Sequence, residues 1–275
     1  MQMETLQDKS QYLNKIIKGY GSVLVAFSGG ADSTLLLKSA LDALGDRVLA
    51  VTARSEIYPP GEAEEASEIA RSLGAEHLIL KTGGLKSPAF AGNPPDRCYH
   101  CKKELYEKLN SLARERGLNY VADGVNADDA SDYRPGMRAG VEAGVRTPLK
   151  QANLTKRDIY ALSREMGLPT AHKPANPCLA SRFPYGTEIT PEALDMVHKS
   201  EAFLKSLGYT PLRVRHHGHL ARIEVPPDRM ESVLRDAERI TAAIKTIGYI
   251  YVTLDLRGFR SGSMNETLED RLRLY

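Results

Sequence analysis

A run of small and hydroxyl-bearing residues, S-G-G-A-D-S at positions 28–33, separates two apolar segments near the start of the chain. Residues 23–27 before it are all apolar, and residues 34–38 after it contain three consecutive leucines. This order predicts a buried strand, a tight turn and the start of a helix. Glycines let a ligand approach the backbone, and the unpaired amides at the positive end of a helix bind phosphate. The segment is therefore predicted to bind phosphate, although the lysine of the Walker pattern is absent.

The cysteines form a second pattern. Cys98 and Cys101 make a C-x-x-C pair in a loop predicted at residues 96–103, and Cys178 follows much later. An odd count, 3 in the whole chain, argues against a disulfide framework. Three chemistries stay open. The first is a structural zinc completed by a histidine such as His100 or His172, the second a redox dithiol, and the third an iron–sulfur cluster on three thiolates. Three thiolates leave one iron open to carry sulfide, which suits sulfur transfer, but spacing alone does not separate cluster from zinc.

Cys178 itself lies in the segment N-P-C-L-A-S-R-F-P-Y-G, four residues before Arg182. A neighbouring guanidinium favours the thiolate over the thiol, so this cysteine is predicted to act as a ligand or nucleophile. The alternative is an inert cysteine in a proline-rich loop.

Arginines gather further along the chain. Arg213 and Arg215 alternate along a predicted strand and share a face, with Arg222 and Glu224 on the partner strand. Adjacent guanidiniums bind phosphate or carboxylate, although a solvated strand face is equally consistent with the pattern. The later segment R-G-F-R-S-G-S, which includes Arg260, is predicted to be a second anion site for a substrate with its own phosphate.

The segment D-G-V-N-A-D-D at residues 123–129 follows another predicted strand. Gly124 would allow close backbone approach, Asn126 offers an amide, and the carboxylates could hold Mg²⁺. Asp32 is the stronger candidate for Mg²⁺ because it lies within the phosphate-binding segment. The alternative is an ordinary hydrophilic loop.

The composition limits the class of protein. The chain has 275 residues, 42% hydrophobic and 26% charged, and a net charge of only +2. A general affinity for nucleic acid is therefore not expected. No apolar stretch approaches the 18 residues of a membrane span, and the amphipathic start of the chain lacks the apolar core of a signal peptide. We expect a cytoplasmic protein with no membrane partner.

Apolar strands alternate with helices through residue 170, which predicts a doubly wound parallel sheet, whereas the rest predicts a smaller α+β unit. The predicted domains are residues 1–170 and 171–275, joined by a proline-rich linker. The predicted strands are 23–27, 48–52, 77–80, 119–123, 212–216, 220–225 and 249–254. The predicted helices are 1–20, 62–73, 102–116, 158–166, 191–207 and 228–247.

The S-G-G-A-D-S segment resembles the pyrophosphate loop (PP-loop) of the ATP pyrophosphatases, which cleave ATP between its α- and β-phosphates. With R-C-Y-H-C-K-K, P-C-L-A-S-R-F-P-Y-G, R-V-R-H-H-G and G-F-R-S-G-S, nearly the whole chain resembles the LarE sulfur insertases. The resemblance implies an adenine nucleotide alpha hydrolase-like fold and an enzyme that uses ATP and Mg²⁺. Such an enzyme adenylates pyridinium-3,5-biscarboxylic acid mononucleotide, releases pyrophosphate and inserts sulfur, towards the nickel-pincer nucleotide of lactate racemase.

One type of LarE protein gives up the sulfur of a single cysteine and is left with dehydroalanine. The C-x-x-C pair departs from that type and is similar to members in which three cysteines bind a [4Fe-4S] cluster. By this resemblance the three cysteines are cluster ligands, while sacrifice of Cys178 stays an alternative.

The residue chemistry and the resemblance together define the candidate site. The catalytic candidates are Cys178, Ser181 and Arg182. The nucleotide- and substrate-binding candidates are Ala26, Ser28, Gly29, Gly30, Asp32, Ser33, Thr52, Arg97, Gly124, Arg213, Arg215, Glu224 and Arg260. The metal-binding candidates are Cys98, Cys101 and Cys178 for iron, with Asp32 and Glu201 for Mg²⁺. The expected partner is a small-molecule nucleotide substrate, and a homo-oligomer is expected, as is common among such enzymes.

Three rival functions compete with sulfur insertion into a small molecule. A tRNA thiolase would also combine this loop with cysteines, but it needs a basic surface that a net charge of +2 does not favour. An amide-forming ligase similar to NAD synthetase would not require the cysteines. A nucleotide-binding or metal-storage module without enzyme activity is the third.

Overall fold

The computed structural model describes residues 5–131, 135–174, 176–260 and 262–266. Its helices are α1 (Leu6–Lys18), α2 (Ala31–Leu44), α3 (Glu62–Ser72), α4 (Pro88–Ala91), α5 (Arg97–Glu115), α6 (Pro135–Glu142), α7 (Pro148–Gln151), α8 (Lys156–Glu165), α9 (Pro191–Ser206), α10 (Met230–Arg235) and α11 (Ala237–Ile247). Its strands are β1 (Val23–Ala26), β2 (Val48–Arg54), β3 (Glu76–Lys81), β4 (Tyr120–Ala122), β5 (Arg213–His217), β6 (Leu220–Glu224) and β7 (Tyr251–Leu254). Across these described ranges, no helix is long and apolar enough to cross a membrane.

The chain folds as two compact units. The first comprises Met1–Ser55, Pro60–Gly83 and Asp96–Asn176. The second comprises Glu56–Pro59, Gly84–Pro95 and Pro177–Tyr275. Whereas the sequence predicts one boundary after residue 170, this division places residues 171–176 in the first unit and two short early segments in the second.

The first unit contains a parallel sheet with the strand order β3-β2-β1-β4. In the register of this sheet, Val23 of β1 pairs with Val48 of β2 and with Tyr120 of β4. Because the strands are parallel, their carboxyl ends meet at one edge of the sheet, where ligands bind in such folds. The loops that follow β1, β2 and β4 therefore begin at the same edge.

The two faces of this sheet are covered by different helices. Val23 and Val25 of β1 belong to a buried cluster that includes Leu35 of α2. Leu24, between them, belongs to another buried cluster with Leu109 of α5. Since successive side chains of a strand point to opposite faces, helices pack on both sides of the sheet. This confirms the predicted doubly wound α/β fold.

The second unit is built around a three-stranded sheet with the order β5-β6-β7. Strands β5 and β6 are antiparallel, and β6 and β7 are parallel. Val214 and Ile223 lie opposite each other in the register and share a buried cluster with Leu204 of α9 and Ile244 of α11. The alternation of strand side chains leaves the arginines of β5 and β6 on the other face.

A short segment from early in the chain is an integral part of the second unit. The amide Nδ2 of the fully buried Asn93 donates to the carbonyl oxygen of Pro184 at 2.7 Å. The carbonyl of Asn93 accepts from the backbone N–H of Gly186 at 2.8 Å, and Ile189 N–H donates to the carbonyl of Ala91 at 2.9 Å. These bonds fix the chain that leads into α9.

Helix α5 begins at Arg97, whereas the sequence predicts a helix from Lys102. The prediction of a cysteine loop at residues 96–103 was therefore wrong, because the C-x-x-C pair lies within the first two turns of a helix. Two prolines at positions 94 and 95 prevent the helix from extending further towards the N-terminus, and neither glycine nor proline interrupts it before Lys102.

The single helix predicted over residues 228–247 was also wrong, because it is divided into α10 and α11. Asp236 lies between them as the C-cap of the first and the N-cap of the second. Its carboxylate accepts a hydrogen bond from the hydroxyl of Tyr209 at 2.6 Å. The sequence contains no glycine or proline at this point to signal the break.

Candidate functional site

The loop between β1 and α2 depends on two glycines. Gly29 has a φ of 67°, in the left-handed region that favours glycine. A Cβ at this position would lie only 3.1 Å from the Cβ of Ala66, so both conformation and space require glycine. Gly30 is the N-cap of α2, and the first amides of this helix point back towards the loop. The predicted strand, turn and helix start are thus confirmed.

Two serines of the loop hydrogen-bond to each other. Their hydroxyl oxygens are 3.1 Å apart, and the backbone N–H of Ser28 donates to Oγ of Ser33 at 3.2 Å. The Ser33 hydroxyl donates to the carbonyl of Gly30 at 3.2 Å, so its single proton is used there and the Ser28 hydroxyl is the donor between the two serines. These bonds preorganise the loop before a ligand binds.

The loop after β4 packs directly against the start of α2. A Cβ at Gly124 would lie 3.1 Å from the backbone nitrogen of Ser33 and 3.2 Å from the Cβ of Asp32. The side-chain amide of Asn126 makes two hydrogen bonds. Its Nδ2 donates to Oδ1 of Asp32 at 3.3 Å, and the Oδ1 of Asn126 accepts from the N–H of Asp128 at 2.9 Å. The structure therefore brings the predicted Gly124 and Asp32 together, with glycine required by the close approach.

Lys156 is a charged neighbour of this loop that sequence reasoning missed. Its Nζ lies 2.5 Å from Oδ2 of Asp32, and both side chains keep about a third of their surface exposed, 32% and 27%. Lys156 is the first residue of α8, whose N-cap Thr155 forms a capping box with Asp158. The box is visible in the sequence as T-K-R-D, but nothing in the sequence shows that this helix start meets Asp32.

Lys173 is a second lysine at the loop that was missed. Its Nζ donates to the carbonyl of Gly29 at 3.1 Å and pairs with Oε1 of Glu65 at 2.8 Å. It comes from the proline-rich segment that was interpreted as a linker. Two lysines from outside the motif therefore bring positive charge to the loop, which suits a polyphosphate ligand.

Thr52 and Ala26 lie beside the entrance to the loop. Ala26 is the last residue of β1, and the buried Thr52 donates its hydroxyl proton to the carbonyl of Phe27 at 2.7 Å. The structure thus gathers Ala26, Thr52, Gly124 and the loop residues at one edge of the sheet, as the sequence predicts.

Arg97, Cys98 and Cys101 lie within the first two turns of α5. All three cysteines are present as thiols; Cys98 is exposed and Cys101 is half-buried, while Arg97 is buried. Residues three apart share a helix face, so this thiol pair fits two ligands of one metal or cluster. Among the residues that the structure describes, no group of three or more His, Cys, Asp and Glu side chains is placed to hold a metal ion. The third thiol, Cys178, belongs to the second unit.

Arg182 is the central side chain of the candidate site in the second unit. It is 0% exposed, and its Nη1 donates to the carbonyls of Pro177 at 2.7 Å and Cys178 at 3.1 Å. It also donates to Oγ of Ser181 at 3.0 Å, and that hydroxyl donates to the Cys178 carbonyl at 2.9 Å. The guanidinium therefore fixes the backbone of the turn that carries Cys178.

Glu201 is the charged partner of Arg182. Its two carboxylate oxygens each accept from the guanidinium at 2.9 Å, and Oε1 also accepts from the N–H of Val214 at 3.1 Å. Burial raises the pKa of the Glu201 carboxyl, but the hydrogen bonds and charge of Arg182 outweigh it, so the pKa is lowered overall. Glu201 is thus a buried, ion-paired carboxylate, and its role in binding metal stays a prediction.

Arg215 connects β5 to the Cys178 turn. Its Nη2 donates to Oε2 of Glu224 at 2.7 Å and to Oγ of Ser263 at 2.9 Å. Ser263 in turn donates to Oε1 of Glu224 at 2.9 Å, and Nη1 of Arg215 donates to the carbonyl of Ser181 at 3.1 Å. The structure therefore brings together four residues of the second unit that the sequence predicts, namely Ser181, Arg182, Arg215 and Glu224.

Arg213 lies on the same strand, opposite Glu224 in the register. Burial and the nearby charge of Arg182 lower the pKa of the Arg213 guanidinium to about 10. Its guanidinium carbon is 5.3 Å from the centre of the Phe259 ring. A cation held near like charge and partly removed from water is stabilised by a bound anion.

Arg260 was predicted to belong to a second anion site. Its Nε donates to Glu266 at 2.9 Å, and its Nη1 lies 3.4 Å from Asp255. Ser261, in the same predicted segment, lies outside the described residues. In this structure, then, the partners of Arg260 include two carboxylates.

The fold and the loop define the class. A parallel, doubly wound sheet with S-G-G-A-D-S between β1 and its crossover helix is the arrangement of the PP-loop ATP pyrophosphatases. Relatives include the ammonia-dependent NAD synthetase of Aeropyrum pernix, which is 28% identical over 62% of this chain and 63% of that protein.

Two other proteins are similar to this chain along nearly its whole length. An uncharacterised protein of Synechocystis sp. is 43% identical over 96% of this chain and 99% of its own length. The pyridinium-3,5-bisthiocarboxylic acid mononucleotide synthase of Lactiplantibacillus plantarum is 43% identical over 97% of each chain. No protein-family model matches the chain. The chain belongs to the LarE family and is an enzyme that uses ATP.

Proposed function

We propose that this protein is an ATP-dependent sulfur insertase acting on pyridinium-3,5-biscarboxylic acid mononucleotide. It adenylates one carboxylate, releases pyrophosphate and converts the activated group to a thiocarboxylate, a step towards the nickel-pincer nucleotide. The observation that carries the proposal is the similarity to the Lactiplantibacillus synthase along 97% of both chains.

The first unit would carry out the activation. A carboxylate oxygen of the substrate attacks the α-phosphorus of ATP, and the bond to the bridging oxygen breaks so that pyrophosphate leaves. The loop amides, with Lys156 and Lys173 beside them, neutralise charge on the departing group. One preorganised donor of this kind contributes roughly 100- to 1,000-fold to the rate.

Asp32 would hold Mg²⁺ at this site. Its carboxylate lies at the start of α2 and has oxygen atoms of the kind that Mg²⁺ prefers. When bound, Mg²⁺ would neutralise charge on the pyrophosphate. Lys156 shields the Asp32 carboxylate in this structure.

The second unit would bring sulfur to the activated carbonyl carbon, from which AMP departs. If Cys178 is the donor, its sulfur attacks that carbon, and the Cβ–Sγ bond then breaks with loss of the Cα proton, leaving dehydroalanine. A [4Fe-4S] cluster on Cys98, Cys101 and Cys178 would instead supply external sulfide at its open iron. In either case Arg182 fixes the backbone that carries Cys178.

The arginines of β5 would recognise the substrate. Arg213 and Arg215 present guanidiniums that suit a phosphate monoester or a second carboxylate, and Glu224 orients Arg215. We propose a small-molecule nucleotide as the partner and no nucleic acid, in keeping with the net charge of +2. We also propose a homo-oligomer working in the cytoplasm, where ATP is available.

The test is turnover with ATP, Mg²⁺ and the pyridinium substrate, followed by mass spectrometry of the small molecules and of the intact protein. We expect pyrophosphate and a thiocarboxylate. Protein lighter by the mass of H₂S at Cys178 indicates sacrifice, whereas unchanged protein that is brown when prepared anaerobically indicates the cluster. A Cys178→Ala variant should release pyrophosphate without forming the thiocarboxylate.

Three outcomes would contradict the proposal. Thiolation of tRNA without activity on the pyridinium substrate would indicate a tRNA thiolase. Full activity of a variant lacking all three cysteines, with ammonia as the nucleophile, would indicate an amide-forming ligase. Absence of ATP–pyrophosphate exchange with every carboxylate tested would indicate a nucleotide-binding or metal-storage module without enzyme activity.

A further inference from the structure

Three consecutive residues of α3 act on the phosphate-binding loop. Glu65 pairs with Lys173, whose Nζ donates to the carbonyl of Gly29. Ala66 leaves room only for a glycine at position 29, because a Cβ added there would lie 3.1 Å from the Cβ of Ala66. Ser67 begins a chain of hydrogen bonds that ends at the residue before the loop.

That chain passes through His77 of β3. Oγ of Ser67 lies 2.9 Å from Nδ1 of His77, and Nε2 of His77 lies 2.7 Å from Oγ1 of Thr52. Thr52 then donates to the carbonyl of Phe27 at 2.7 Å. The Phe27 ring meets the imidazole edge to face, with ring centres 6.1 Å apart.

The number of protons determines the direction of each bond. The single hydroxyl proton of Thr52 goes to the Phe27 carbonyl, so Thr52 accepts from His77, and Nε2 must carry a hydrogen. Burial lowers the pKa of His77, so near neutral pH the ring is uncharged and Nδ1 accepts from the Ser67 hydroxyl. The neutral Nε2–H tautomer satisfies every member of the chain.

We propose that His77 is a positioning residue for the phosphate-binding loop. As the Nε2–H tautomer it orients Thr52, which holds the Phe27 carbonyl and with it the entrance to the loop in the conformation that binds the phosphates of ATP. This rests on the loop's role in the proposed function. His77 lies 49 residues beyond the start of the loop, and no motif of the sequence marks it.

The test compares His77→Leu with His77→Gln. Glutamine presents an amide N–H near the position of Nε2 and can still donate to Thr52, whereas leucine cannot. The probe is α,β-methylene ATP with Mg²⁺, titrated by calorimetry, so the result does not depend on the identity of the carboxylate substrate. We expect His77→Leu to bind roughly 10-fold more weakly, the loss of about one buried hydrogen bond, and His77→Gln to bind close to wild type.

Two controls make the result specific. His198→Leu replaces a half-buried histidine of α9 in the second unit and should not change binding. Thr52→Val combined with His77→Leu should bind no more weakly than Thr52→Val alone, because both remove one chain of bonds. Unchanged binding in a folded His77→Leu variant, or equal weakening in the leucine and glutamine variants, would overturn the proposal.

A measurement on the wild-type protein tests the tautomer of His77 without any substitution. Imidazole ¹H–¹⁵N spectra near neutral pH should show His77 protonated at Nε2 and unprotonated at Nδ1. The opposite tautomer would overturn the proposal even if ATP binds as expected. Failure of the wild type to bind the ATP analogue would instead remove the nucleotide role of the loop, and the positioning role with it.

Discussion

The two units hold their charged residues in different ways. In the first unit, Asp32 and Lys156 meet through a single contact and remain 27% and 32% exposed. In the second, Arg182 and Glu201 are 0% and 4% exposed and joined by two parallel hydrogen bonds. A partly exposed pair is worth little and can exchange partners, whereas a buried pair is costly to break.

This difference indicates what each set of charges is for. Lys156 can leave Asp32 for an incoming phosphate because water already reaches both groups. Arg182 makes its bonds to Glu201 and to backbone carbonyls and cannot turn towards a ligand without leaving Glu201 buried and unpaired. Arg213, with its lowered pKa, is the arginine of the second unit that we expect to contact the substrate's phosphate.

The largest effect should come from breaking the buried pair. Arg182→Met leaves the Glu201 carboxylate without its partner and should reduce the free energy of unfolding by about 3–5 kcal/mol. Urea unfolding measures this. Lys199→Met is the matched control, because Lys199 pairs with Asp195 on the exposed side of the same unit and should cost about 0–1 kcal/mol. Equal costs would remove the contrast between buried and exposed pairs.

The next effect should appear at the loop. Asp32→Ala removes the proposed Mg²⁺ ligand and should slow ATP–pyrophosphate exchange roughly 100- to 1,000-fold, with little change in stability. Asp42→Ala is the control on the same helix, since Asp42 pairs with Lys38 at the surface. Wild-type exchange in Asp32→Ala would contradict the assignment of Asp32.

A smaller effect is expected from Lys156→Gln. The variant keeps a hydrogen-bond donor but loses the charge, and we expect the KM for ATP to rise about 10-fold while kcat changes less. Raising the salt concentration should weaken ATP binding more in the wild type than in the variant. A fall in kcat with an unchanged KM would show that Lys156 does not bind the ground-state phosphates.

The smallest expected effect is the loss of folding stability at acid pH. The pKa of Glu201 is lowered in the folded state from its ordinary value of 4.5, so its pairing stabilises the fold above that value and the contribution is lost as pH falls through the folded pKa. Between about pH 6 and pH values below 4.5, the wild type should therefore lose more stability than an Arg182→Met/Glu201→Leu double variant. Parallel losses in urea unfolding would contradict this.

Much of the first unit could be predicted because its signals are local. Apolar strands, a glycine turn and amphipathic helices each fit within a few residues, and they led to the doubly wound sheet and to the close approach of Gly124. Lys156 and Lys173 could not be predicted, since their contacts with Asp32 and Gly29 span 124 and 144 residues. The start of α5 was missed although two prolines, at positions 94 and 95, precede it, because the C-x-x-C pair was interpreted as part of a ligand-bearing loop.

In the second unit the local pattern of one strand was predicted, but the long-range contacts between elements were not. Alternation along β5 placed Arg213 and Arg215 on one face, and the register confirms it. The partner of Arg182 could not be found from spacing, because it lies on a helix 19 residues away. The sequence contains several acidic residues at similar distances, and only packing selects among them.

Because Asn93 and Ala91 form hydrogen bonds with the segment before α9, the second unit cannot be encoded by one continuous stretch of the gene. A fragment encoding only residues 177–275 would lack the side chain that binds the Pro184 carbonyl and the backbone that pairs with Gly186 and Ile189. A functional transplant of this part into another protein would have to carry the stretch around Asn93 as well. The two units are therefore expected to be inherited together rather than exchanged as separate modules.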